Sequence, residues 1–240
     1  MYKYALLLFR QNWMFVLLTS VGLATVDLLS GSSGVAASVI VQGFLVFVFH
    51  AALLTGASPN IFGNFGKDLQ PTWRFWVAYA VPLTFCIAAM LIVAFLFLGG
   101  VAIGGSTEIW VILVFLVVVP FWGVLIALIG TMVPAATLRQ SISLSATLKR
   151  GRRSFWFVLW RLALGPGVFA SALFALLMFL ESHSIAPSFP ETFQELTVIN
   201  GAWSVLVEFI GLFSSALAAS VLSMAYVRVE GGELFPEPAS

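Results

Sequence analysis

Three polar residues inside otherwise apolar runs are the ones whose chemistry matters most. Glu208 lies in GAWSVLVEFIGLFSS, about two turns from one end of the last apolar run. A carboxylate at membrane depth must face protein or water, so its roles are proton relay, ion ligand or hydrogen-bonded structural group. His50 and Gln42 are eight residues apart in the second apolar run and fall near one helix face. They can line a cavity or bond across a helix interface. His183 stands apart beside Glu181, with no second histidine near in sequence, and gives no metal site. The chain carries no phosphate loop, no H-E-x-x-H, no nucleophile elbow and no Ser-His-Asp set. No catalytic residue, metal or cofactor is therefore expected.

The stretch KRGRRSFWFVLWRL, residues 149–162, is the other concentration of chemistry. It packs five cations and four aromatic rings into fourteen positions. Lys149, Arg150, Arg152 and Arg153 are expected to neutralise anionic headgroups at about 1 kcal/mol each. Phe155, Trp156, Phe157 and Trp160 suit the interfacial aromatic belt. Arg161, two turns further in, can snorkel back to the same headgroups. The segment thus reads as a lipid anchor, either a topological one or a specific site for an acidic lipid.

The elements that must position these groups follow from composition. Hydrophobic residues make up 61% of the 240 positions and charged residues 9%, against about 25% charged in a typical soluble domain. A soluble chain of this length cannot hide that much apolar surface. Net charge is +1, which gives no field attracting nucleic acid. Cys86 is the only cysteine, so no intrachain disulfide or cysteine metal cluster can form. A span needs about 20 mostly apolar residues, and six such runs occur, over 13–30, 35–57, 75–98, 108–136, 155–181 and 200–228. The first run is longer than a signal-peptide core and lacks a clean cleavage site, so it is read as a retained span. No ten-residue strand alternation appears, which argues against a β-barrel.

The links 30–34, 99–108 and 182–200 contain no lysine or arginine. All eleven basic residues fall at the other side: Lys3, Arg10, Lys67, Arg74, Arg139, Lys149, Arg150, Arg152, Arg153, Arg161 and Arg228. The positive-inside rule makes that side cytoplasmic, with both termini there and 229–240 as a short cytoplasmic tail. RQNWMFVLL, TWRFWVAYAV and RRSFWFVLWRL each open an odd-numbered span with a basic residue and aromatics. This pattern fits three hairpins on a similar plan, and equally fits the general preference of inward helix ends for such residues.

Gly165-Pro166-Gly167 falls mid-way along the fifth span and is expected to kink it, as are Pro82, Pro120 and Pro134 in spans three and four. Gly211, Ser215 and Ala219 form a small-xxx-small row, expected to let a neighbouring helix approach span six closely.

LRQSISLSATLKRGRRSFWFVLWRLALGP (138–166) and the ending ASVLSMAYVRVEG (219–231) resemble segments of a group of bacterial six-span proteins, the glycerophosphoryl diester phosphodiesterase membrane-domain family. The matching positions are Ser143, Leu144, Arg150, Gly151, Phe155 and Trp156. The resemblance covers about thirty residues closely and the rest only in layout. It implies a bacterial inner-membrane bundle without the soluble catalytic barrel, and it transfers no catalytic residue.

The resulting expectation is an all-α, polytopic integral membrane helical bundle with six transmembrane helices, forming a single transmembrane domain over 1–240. The expected function is non-enzymatic: an accessory or scaffold protein contacting membrane lipids with anionic headgroups, another membrane protein complex, or a second copy of itself. The alternative is a small-molecule or ion transporter or channel using Glu208, His50, Gln42 and the kinked fifth span, with intramembrane catalysis third.

Overall fold

A long helix with a side-chain amide at its bend opens the chain. The computed structural model describes residues 1–30, 35–56, 70–101, 120–187, 196–232 and Leu234. The links 31–34, 57–69, 102–119 and 188–195 and the tail from 235 lie outside the described residues, and so do the side chains of Asp27 and Cys86. The start of the fourth span and Lys67 fall there. Helix α1 is Tyr2–Ser30, with Asn12 at φ −118°, ψ 19°. The Asn12 side chain donates to Leu8 O at 2.9 Å, which satisfies a carbonyl at the bend. Helices α2 (Val35–Thr55) and α3 (Trp73–Val101) follow, and α3 continues through Pro82.

Helix α4 covers 120–129 and α5 is Met132–Thr137. The break between them has a backbone cause. Pro134 has no N–H for the carbonyl of Gly130, and Val133 N donates to it instead at 3.1 Å. Helix α6 (Leu144–Leu162) starts at the N-cap Ser143, whose hydroxyl accepts from Ala146 N. It runs without a gap into the wide turn Ala163–Gly167 and then α7 (Val168–Ser182). Pro166 removes the donor for Leu162 O, and Val168 N reaches back five residues to Ala163 O. Helix α8 (Val198–Glu230) begins with a reciprocal capping box between Thr197 and Asn200.

Six helical segments among the described residues are long and apolar enough to cross a membrane: Tyr2–Val26, Ala37–Thr55, Trp73–Val93, Pro120–Thr137, Leu144–Ser182 and Val198–Glu230. The all-α bundle with six spans is therefore the fold. Two helices start well before the expected spans, at Tyr2 rather than 13 and at Leu144 rather than 155. Apolar runs mark where a helix meets hydrocarbon. They are silent on how far the helix continues beyond it.

The packing is centred on α8, which touches α1 most extensively and also meets α2, α5, α6, α7 and the wide turn. One core cluster joins α1, α2 and α8 through Leu8, Val16, Leu45, Phe49 and Leu217. A second joins α2, α3 and α5 through Phe47, Val48, Phe75 and Met132, and a third joins α4, α6 and α8 through Ala127, Val158 and Val221. Helix α7 has no buried residue. Together with Phe85, Leu91, Ile92 and Phe95 on α3, it turns large apolar side chains outward. Such an outer belt is stable in lipid and not in water.

Candidate functional site: the basic end of the bundle

The basic–aromatic segment becomes α6 and divides into two faces. Thr147, Arg150, Gly151, Ser154, Val158 and Leu162 point inward at helical spacing. Lys149, Arg152, Arg153, Trp156, Trp160 and Arg161 point outward, and Phe155 and Phe157 are half-buried. Trp156 and Trp160 are each more than half exposed, as an interfacial belt requires.

Arg150 departs from the expected anchor role. It is 6% exposed. One guanidinium nitrogen donates to Ser141 O at 3.0 Å and to Thr147 Oγ1 at 3.4 Å. The other donates to Glu230 Oε1 at 3.4 Å, and the Tyr226 ring lies beneath the group. The residue therefore ties the 138–143 turn, α6 and the end of α8 together. The physical reason is its place on the stripe of small residues that faces α4 and α8. Gly151 sits on the same stripe, where an added Cβ would collide with the carbonyl of Leu128 on α4.

A second cationic group forms nearby. Arg161 Cζ lies 3.8 Å from the Phe157 ring centroid and Arg228 Cζ lies 4.9 Å from it. Both arginines are exposed. Met1 packs its thioether against Gly165, and the Tyr2 hydroxyl donates to Leu164 O at 2.8 Å. The Met1 amino group is held below its usual pKa, first by partial burial and then by the nearby Arg161 charge.

The three intramembrane polar candidates are not gathered. His50 is fully buried, and its Nδ1 is 2.8 Å from Ser223 Oγ on α8. Its Nε2 has no partner among the described residues, and neither does Thr131 Oγ1 at the α4–α5 break. Gln42 is half-buried two turns away along α2, about 12 Å at 1.5 Å per residue. Glu208 is half-buried and lies fifteen residues before Ser223 on α8, about 22 Å along the helix. The register of α8 against the fifth span is fixed by Ser214, which donates to Pro166 O at 3.4 Å. Arg161 then lies some 16 Å in depth from Glu208. Among the described residues no cluster of histidine, cysteine, aspartate or glutamate could hold a metal ion.

The expected kink at Gly165-Pro166-Gly167 is the wide turn, with Gly165 and Pro166 buried. Of the small-xxx-small row, Ala219 is buried and Ser215 half-buried, while a Cβ added at Gly211 would meet nothing within 4 Å. Among the described residues no neighbouring helix comes within that distance of Gly211, whereas Gly151 lies against the α4 backbone. Ser223, Glu230, Tyr226 and Gly151 were not singled out from sequence as site residues. A usable signal existed in the Thr147, Gly151, Ser154, Val158 spacing, which marks a small-residue face on a charged helix.

No family model matches the chain, and no curated protein and no solved structure matches it either. The resemblance of 138–166 to the bacterial phosphodiesterase membrane-domain family thus gains no support. What stands is a polytopic, all-helical membrane protein.

Proposed function

We propose that this chain is a non-enzymatic accessory or scaffold protein of the bacterial inner membrane, with both termini cytoplasmic, contacting lipids or another membrane protein. One observation carries the reading: among the described residues, His50, Arg150 and Ser214 inside the bundle join helices to one another. His50 is tied to Ser223, Arg150 to Glu230 and the Ser141 carbonyl, and Ser214 to the Pro166 carbonyl. Such contacts rigidify a bundle and leave its outer faces for lipids or a partner. The basic side chains collected at one end set the orientation.

The test is a mild-detergent pull-down from native membranes, with mass spectrometry of proteins and lipids. A stoichiometric membrane partner or a defined homo-oligomer supports the reading. A lone protein with bulk lipid counts against it.

A transporter or channel is the second reading, favoured by the wide turn that breaks the fifth span beside Pro166. Reconstituted flux that disappears in Glu208→Gln would establish it in place of the scaffold.

A further inference from the structure

Two arginines from different helices lie against the Phe157 ring. Arg161 belongs to the same helix, one turn on, and Arg228 reaches in from α8. With their guanidinium carbons 3.8 and 4.9 Å from the ring centroid, the two cations are no more than about 9 Å apart. Among the described residues neither has a carboxylate partner, since the ion pair at this end belongs to Arg150 and Glu230. Like charges held this close repel, the more so beside a low-dielectric slab. The ring faces offset part of that. An anion contacting both guanidinium groups would offset the rest, and planar guanidinium forks suit phosphate oxygens.

Depth identifies the kind of anion. The continuous helical segment Leu144–Ser182 has 39 residues, about 58 Å at 1.5 Å per residue. About 20 residues cross the hydrocarbon, so the segment continues beyond it at its basic end, where Lys149, Arg152 and Arg153 face outward. Arg161 lies about two turns further in, and helical side chains lean toward the N-terminus, here toward the headgroups, which the long arginine stem reaches. Phe157, Trp160, Arg161 and Leu164 fall on one face at i, i+3, i+4 and i+7. Trp160 is 60% and Leu164 59% exposed, so an apolar track leads from the cations toward the hydrocarbon.

We infer that Arg161 and Arg228, both held against Phe157, form a discrete site for a phosphate group, and that the phosphate is that of a membrane lipid whose acyl chain lies along Trp160 and Leu164. The inference rests on the lipid-contacting part of the proposed function. It is separable from the partner-protein part, which the pull-down tests independently.

The full chain, delipidated in detergent, would be titrated with short-chain phosphatidylglycerol, short-chain phosphatidylcholine and inorganic phosphate, with bound species counted by native mass spectrometry. The expected result is one saturable phosphatidylglycerol site. Arg161→Gln and Arg228→Gln should each weaken it about fivefold, the share of a single basic residue near an anionic leaflet. Arg161→Lys should recover part of the loss, and Phe157→Leu, which removes the ring and keeps the bulk apolar, should weaken binding without any charge change. The control Arg74→Gln, at the exposed start of α3, should change it less than twofold. Thermal melts of every variant identify any that misfold, and Phe157→Leu then decides the case. Inorganic phosphate binding as tightly as the lipid, and lost in the same variants, would overturn the lipid assignment. Equal retention of phosphatidylglycerol and phosphatidylcholine, or an equal loss in the Arg74 control, would overturn the site itself.

Discussion

Replacing Gly151 by alanine tests the packing of α6 most directly. The new Cβ would overlap the Leu128 carbonyl oxygen and stand 2.5 Å from its carbon and 2.8 Å from Leu128 Cα. All three are backbone atoms of α4, so no rotamer change relieves the clash. Either α6 or α4 must move by close to an ångström. Overpacking of this kind costs about 1–3 kcal/mol, occasionally more, and a rigid backbone partner belongs at the upper end. Alanine returns about 1 kcal/mol through its better helix propensity. The net expectation is a loss of about 2 kcal/mol. The matched control is Gly211→Ala, where an added Cβ meets nothing within 4 Å. That change should be neutral or stabilising by up to about 1 kcal/mol. Both variants would be unfolded with an ionic detergent in mixed micelles, followed by tryptophan fluorescence and far-UV circular dichroism. The difference between them should be about 2–3 kcal/mol, with Gly151→Ala the weaker protein. A Gly151→Ala protein as stable as the wild type, or a Gly211→Ala protein less stable than Gly151→Ala, would refute the placement of α6 on α4.

Four further outcomes are expected. Ser223→Ala removes the partner of a fully buried imidazole nitrogen. It should cost toward the upper part of about 0.6–1.7 kcal/mol, the range for interhelical hydrogen bonds in membranes, and a cycle with His50→Phe should recover that coupling. Arg150→Ala loses a charge-assisted bond to the Ser141 carbonyl and should cost about 2 kcal/mol, with proteolysis of the 138–143 turn rising. Glu230→Gln should cost less than about 1 kcal/mol, because Glu230 is 44% exposed and pairs as a surface group. In a Cys86→Ser background, Gln140→Cys should react with an impermeant maleimide only from the cytoplasm and Ser184→Cys only from outside. The reverse pattern would overturn the orientation.

Much of the fold was written into composition and run length. A chain with 61% hydrophobic residues in six long runs has no soluble solution, and each run must close its own backbone hydrogen bonds as a helix. The backbone break at Pro166 was also local, because a missing donor perturbs its own turn whatever the neighbours are. The outward place of Lys149, Arg152, Arg153, Trp156 and Trp160 likewise follows from a charged and aromatic helix face.

Other features depended on which helix lies beside which. Arg150 has the same chemistry as Arg152 and Arg153, and only its angle on α6 relative to α4 and α8 turns it inward. Gly211 and Gly151 look equally fit for a close crossing. The difference lies in whether a second backbone arrives, at Leu128 in one case and not in the other. The His50–Ser223 pair spans 173 residues of sequence, and Arg228 meets the Phe157 ring from another helix. Spacing along one chain fixes which residues share a helix face. The partner of that face is set by packing among helices far apart in sequence, and this is why the bundle was legible before its structure and its joints were not.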